Sequence, residues 1–131
     1  MDEKLLSSIC NITKKKLSVM VDYHYSSHNI NDFPRNELFK ELGLIRVCLR
    51  KEDMIEGCKF VKKLKNYSNC KLSINFFNIT NYDKDDLLFA CEVAEDSNSD
   101  FIYFADTHGG LDLGKNLEMF KSFTKLIKKL E

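Results

Sequence analysis

The chain is predicted to be a parallel α/β protein of about four consecutive βα units behind an N-terminal helix. Four short apolar runs, Leu17–Val21, Leu44–Leu49, Leu72–Phe77 and Phe101–Ala105, start about 28 residues apart, the length of one strand-loop-helix-loop unit. Three of them are followed by polar residues and then by an amphipathic helical pattern. Such folds place their chemistry just past the C-terminal ends of the strands. That rule singles out Asp22, His24, Arg50, Asn75, Asn78, Asp106, Thr107 and His108.

Leu5, Leu6, Ile9 and Ile12 recur at helical spacing before Lys14-Lys15-Lys16, whose charges suit a helix C-terminus. Leu17–Val21 then runs almost unbroken in apolar and β-branched residues, as a strand does when both sheet faces are covered. The polar segment from Asp22 to Phe33 is the longest loop, and long loops in compact domains are often functional. Pro34 can open a short helix through Asn36–Glu41, with Gly43 placed to end it. After the second strand, Met54, Cys58, Val61 and Lys65, with Ile55 and Leu64 beside them, trace one face of a helix from about Glu52 to Asn66. Gly57 inside it costs about 1 kcal/mol against alanine and marks close packing on the sheet.

In the third strand, polar Ser73 and Asn75 alternate with apolar neighbours, a pattern that can aim polar groups into a barrel interior or a pocket. Asn81 or Asp83 can cap the next helix, whose apolar face is Leu87, Cys91 and Ala94 joined by Ala90 and Val93. Phe101–Ala105 has the strongest strand signal of the four. Gly109, Gly110 and Gly114 then make a turn, and Leu117, Phe120, Phe123, Ile127 and Leu130 write a last helix.

At 131 residues the chain fits one domain, about half the length of a closed eight-unit barrel. Twenty basic residues balance twenty acidic ones, so binding to nucleic acid or anionic lipid by bulk charge is not expected. The apolar runs are far shorter than a membrane span and the N-terminus opens no signal-peptide pattern, which makes a cytoplasmic location the expectation. Five cysteines without a CxxC pair suit reduced, mostly buried thiols.

Ala105-Asp106-Thr107-His108-Gly109-Gly110 ends the last strand with a carboxylate, a hydroxyl and an imidazole on a glycine turn. Asp106 and His108 point to one side if strand geometry persists, and His108 suits general acid or base work. The plainer reading is that Asp106 caps the turn and His108 is merely exposed. Asp22 and His24 repeat the offset, and two Asp-x-His pairs on neighbouring strand ends could hold a divalent metal, although the pattern arises easily by chance. Arg46 and Arg50 lie within and at the end of the second strand, where a guanidinium holds a carboxylate, either a ligand's or that of Asp22, Asp106 or Glu41. Tyr23, Tyr25 and His28 can line a pocket or simply face water. No serine elbow, P-loop, GxGxxG or HExxH pattern occurs.

The stretches Leu44-Ile45-Arg46-Val47, Leu72–Ile79 and Ile102–Gly109, each in its strand context, resemble the middle of the DRE-TIM metallolyases. The 4-hydroxy-2-oxovalerate aldolase-like proteins are the nearest in look, with hydroxymethylglutaryl-CoA lyase a relative. Met20-Val21-Asp22 and Asp32-Phe33-Pro34 fit the stretch before the Ile-Arg-Val strand. The resemblance covers about Leu17 to Leu117 and implies a partial TIM barrel whose strands are the second to the fifth. It implies carbon–carbon lyase chemistry on 2-oxo acids, with a divalent metal (Mn or Mg) stabilising an enolate. Asp106-Thr107-x-Gly109 stands where the family has its D-[ST]-x-G turn, and Arg46 where it has the third-strand arginine.

On this reading Asp106, Thr107 and His108 are the catalytic candidates, and Arg46, Arg50, Asn75, Asn78 and Gly109 the substrate-binding ones. The family's Arg-Asp motif belongs to the first strand and its His-x-His metal pair to the sixth, and no R-D-G, D-R-E or H-x-H sequence occurs here. A metal-enolate mechanism needs the cation as Lewis acid, so no metal and no competent aldolase are expected of this chain alone. The expected partners are a small 2-oxo acid or aldehyde, and a second copy or a partner chain that completes the barrel. The alternative is a non-catalytic small-anion binding or assembly module on an open parallel sheet, using Arg50, Asn78 and the Asp106–Gly110 turn. A non-functional remnant, the third possibility, predicts poor folding.

Overall fold

Four strands form one sheet in the computed structural model, which describes residues 3–13, 16–33, 42–68, 70–112, 114, 116–118 and 121. The strands β1 (Leu17–Asp22), β2 (Leu42–Leu49), β3 (Lys71–Phe77) and β4 (Phe101–Ala105) lie in the order β1-β2-β3-β4, and each neighbouring pair is parallel. Helix α1 spans Glu3–Thr13, α2 spans Met54–Tyr67 and α3 spans Lys84–Glu95. Right-handed crossovers in a sequentially ordered parallel sheet carry the connecting helices to one face. Ile45, Val47 and Leu49 of β2 and Leu72, Ile74 and Phe76 of β3 are fully buried on that face. They share one cluster with Met54, Cys58, Val61 and Leu64 of α2 and with Leu87, Ala90, Cys91 and Ala94 of α3. The fold is thus α/β, built of consecutive βα units.

The other sheet face is different in kind. Its rows follow from the register: Met20, Arg46, Ser73 and Phe101 lie side by side, and Asp22, Cys48, Asn75 and Tyr103 form the next row. Met20, Phe101 and Tyr103 on the two edge strands are 61%, 41% and 42% exposed, so this face is open.

Glycines set two close approaches. A Cβ on Gly57 would lie 2.3 Å from Leu49 Cδ2, so the missing side chain lets α2 settle onto the sheet. Gly43, expected to end a helix, instead lies within β2 as the extra residue where the β1–β2 register shifts between Leu17 and Ser18. A Cβ there would come within 3.0 Å of Lys16 Cβ, and a bulge at such a point favours glycine. The short helix expected over Asn36–Glu41 lies outside the described residues, as do Lys14, Lys15 and most of the last helix. Gly114, expected in the turn, is already helical, its N–H bonded to Asp112 Oδ1 at 2.9 Å.

The loop after β1 is ordered by aromatic packing. It contains single 3-10 turns at Tyr23–Tyr25 and Ile30–Asp32, and the rings of Tyr23 and Phe33 lie 5.6 Å and 5.3 Å from that of Phe60 on α2. His28 stacks on Tyr23 at 4.0 Å, and its Nε2 lies 2.8 Å from the Tyr23 carbonyl oxygen. Phe60 is buried and Ile55 half-exposed, so the inward face of α2 is turned slightly from the expected one. Cys58, Cys70 and Cys91 are buried free thiols and Cys48 a half-buried one; burial pushes the Cys58 pKa up to about 12.

Helix α3 starts on a reciprocal cap. Asp83 Oδ1 accepts from the Asp86 N–H at 2.8 Å, Asp86 Oδ2 accepts from the Asp83 N–H at 2.9 Å, and Lys51 pairs with Asp86. Asp83→Ala is expected to lower stability by about 1 kcal/mol, the usual worth of an N-cap, as read by urea denaturation. An unshifted midpoint would show that the Lys51–Asp86 pair holds the helix start without the cap.

Candidate functional site

Arg46 projects from the middle of β2 onto the open face and lies across the sheet towards β4. The Asn75 side-chain oxygen accepts from Arg46 Nη2 at 2.8 Å and Nε at 3.1 Å, while the Asn75 amide nitrogen donates to Ser73 Oγ at 2.9 Å. The guanidinium carbon sits 5.6 Å from the centre of the Tyr103 ring, within cation–π range. Ser73 and Asn75 are buried beneath this arrangement. Both partners of Arg46 are neutral, and among the described residues no carboxylate lies within ion-pair distance of it. Its charge is positioned, and no described carboxylate pairs with it.

Arg50 continues the same side of the strand. Its backbone is extended (φ −84°, ψ 166°), so the period-two alternation from Arg46 through Cys48 persists to it. Its guanidinium carbon lies 4.9 Å from the Tyr25 ring centre and 5.8 Å from that of Phe77, and its Nε is buried without a hydrogen-bond partner among the described residues. Asp22 Oδ2 approaches Arg50 Nη2 only to 4.0 Å, beyond hydrogen-bond length. Contact with Tyr25, followed by the charges of Asp22 and Glu52, pushes the Arg50 pKa up despite desolvation. Asp22 has a second task, accepting from the His24 N–H at 3.1 Å to cap the Tyr23–Tyr25 turn. His24 Nδ1 lies 3.3 Å from Asp53 Oδ2, which ties that turn to the start of α2. Between the arginines, burial and then the Asp22 charge push the Cys48 pKa up, against the pull of Arg46.

Beyond β4 the chain does not stay extended. Asp106 accepts from the N–H of Gly110 at 3.0 Å and of Leu111 at 2.9 Å, one on each carboxylate oxygen. These amides, Leu111 foremost, hold its pKa below the usual carboxylate range despite desolvation. Gly109 takes φ +65°, which the tight turn requires. Thr107 Oγ1 accepts from the N–H of Asn78 at 3.1 Å, joining the ends of β3 and β4. Asn78 itself is left-handed (φ 57°, ψ 41°), a conformation Asn adopts more readily than most residues, and its buried Oδ1 has no hydrogen-bond partner among the described residues. His108 is exposed.

The two Asp-x-His pairs are not neighbours. They sit at the ends of β1 and β4, the two edges of the sheet, with β2 and β3 between them. Among the described residues no three His, Cys, Asp or Glu side chains converge as a metal cradle, and both Asp106 oxygens already serve backbone amides. The divalent ion that the resemblance would bring finds no fitting donor set in these residues.

The expected residues therefore divide in three. Arg46 and Asn75 come together on the open face, Arg50 and Asp22 meet at its rim, and Asp106, Thr107, Gly109 and Asn78 shape the turn beyond β4. Of the rings that hold the guanidinium groups in place, Tyr25 was expected to line a pocket or face water, whereas Tyr103 and Phe77 are not marked by the sequence because aromatic residues in strands look like core. Their only signal is parity along the strand, and it becomes usable once the register is known. In comparisons with known proteins the chain matches no family model, no curated protein and no solved structure.

Proposed function

We propose that this chain binds a small carboxylate on the open face of its sheet, and that it is a partial barrel of the DRE-TIM metallolyase type whose ligand is a 2-oxo acid. One observation carries the binding reading: the Arg46 guanidinium is fixed by an amide and an aromatic ring yet has no anionic partner among the described residues. A half-buried cation held by neutral groups retains donors for a planar anion, and arginine suits a carboxylate through paired N–H bonds. The aldolase assignment rests on the resemblance of the Ile-Arg-Val, Ser-Ile-Asn and Asp-Thr-His-Gly segments. The described residues supply no metal cradle, so the activity proposed for the chain alone is binding without turnover.

The test is a calorimetric titration of the protein with pyruvate, repeated with Arg46→Gln. Pyruvate should bind, and the substitution should weaken it by at least about tenfold, since a hydrogen bond to a charged group is worth about 1.5–3 kcal/mol. Pyruvate binding unaffected by Arg46→Gln would remove the site from this face. Mn²⁺-dependent consumption of a 4-hydroxy-2-oxo acid that is lost in Asp106→Ala would replace the binding reading with an enzymatic one.

A further inference from the structure

Arg46 is not the only preorganised cation on the open face. Arg50 lies four residues further along the same side of β2, which places the two Cα atoms about 13 Å apart along the strand. Each guanidinium is held largely by groups other than a bonded carboxylate: Arg46 by the Asn75 amide and the Tyr103 ring, Arg50 between the rings of Tyr25 and Phe77. Among the described residues Arg50 keeps a buried Nε without a partner, and Asp22 stands off at 4.0 Å. The residue between them on this side is Cys48, which is half-buried.

We infer that the open face takes a short dicarboxylate, one carboxylate on Arg46 and the other on Arg50. This inference rests on the carboxylate-binding reading above and names its ligand class. Two like charges fixed on one face repel each other, and a ligand carrying two anionic ends relieves that repulsion as well as pairing each cation. Once the first carboxylate is bound, the second contact becomes intramolecular and adds affinity without a second loss of translational freedom. Holding both guanidiniums in place beforehand limits the ordering cost on binding. Asp22 sets a bound on the gain, because its charge at the Arg50 end opposes an incoming anion.

The experiment titrates the whole chain calorimetrically, at constant ionic strength, with malonate, succinate, glutarate and adipate, and with butyrate as a monocarboxylate of comparable size. At least one dicarboxylate should bind tenfold or more tightly than butyrate. Arg50→Gln should bring that dicarboxylate down to the monocarboxylate level while changing butyrate affinity by less than about twofold, and circular dichroism should report an unchanged fold. Equal affinity for the two classes, or a parallel loss of both in Arg50→Gln, overturns the dicarboxylate inference and leaves the Arg46 site standing. No binding of any carboxylate, pyruvate included, overturns both.

Discussion

Replacing Phe76 by alanine is expected to cost about 3–5 kcal/mol in unfolding free energy, measured by urea denaturation, a large share of the 5–15 kcal/mol typical of a domain. Phe76 is fully buried on the helix-covered face of β3, and its ring lies 5.5 Å from that of Phe104 in a stacked arrangement. Truncation removes the transfer free energy of an aromatic ring and leaves a cavity that the central strand of a close-packed layer cannot collapse to fill. Phe101 supplies the internal control. It lies on the open face of the neighbouring strand at 41% exposure, so Phe101→Ala should cost less than about 1 kcal/mol. The contrast tests the central feature of the architecture, one covered face and one open one. A loss at Phe101 comparable to that at Phe76 would show the open face covered in solution, whether by a second copy or by another part of the chain.

That asymmetry was only partly legible in the amino-acid sequence. Strand positions were readable because each strand is a compact apolar run between polar segments, and β4 occupies the expected Phe101–Ala105. The order β1-β2-β3-β4 accords with a run of βα units, and the polar alternation of Ser73 and Asn75 pointed to a non-core face on β3. The bounds of β2 were less readable, because Gly43 has the local signature of a helix stop and serves in a bulge that only the partner strand defines. The order in the Asp22–Phe33 loop was hidden as well, since it depends on Phe60, a residue far along the chain whose ring collects Tyr23 and Phe33.

The candidate site divides along the same line. Charge inside an apolar strand marked Arg46, and strand parity marked Asn75, but their hydrogen bonding depends on register between strands. The partners of Arg50 come from two separate segments, Asp22 and Tyr25 at the end of β1 and Phe77 at the end of β3, and no local pattern encodes their meeting. The Asp106 turn carried an ambiguous signal. An Asp before His-Gly-Gly suits both an acid–base group and a turn cap, and both oxygens here accept backbone amides.

Asp100→Ala is expected to lower stability by about 2 kcal/mol at neutral pH and to flatten its dependence on pH in the acid range. Asp100 closes the N-terminal end of the β3–β4 pair: its N–H donates to the Leu72 carbonyl at 2.8 Å, and its Oδ2 accepts from the Leu72 N–H, also at 2.8 Å. The same oxygen pairs with Lys65 of α2, so one carboxylate joins β3, β4 and a helix. The alanine variant leaves the part-buried Leu72 N–H without its acceptor, a loss of about 1–3 kcal/mol, and the partly exposed Lys65 contact adds little.

Desolvation pushes the Asp100 pKa up, but the hydrogen bonds from Lys65 and Leu72 outweigh it and hold the group below its ordinary value. A carboxylate with a depressed folded pKa contributes stability that is fully present above its unfolded value, near pH 4. That contribution is lost as pH falls through the folded value. The difference between wild type and Asp100→Ala should therefore narrow below about pH 4. Asp86 and Asp106, whose pKa values are also lowered, leave a residual slope in the variant. Asp100→Asn separates the two contributions, because its side-chain oxygen can still accept from Leu72 while its charge is gone. It should retain much of the stability at neutral pH and share the flattened acid dependence. An Asp100→Asn profile parallel to wild type from pH 7 to pH 3 would show that the carboxylate's charge does not hold this end of the sheet.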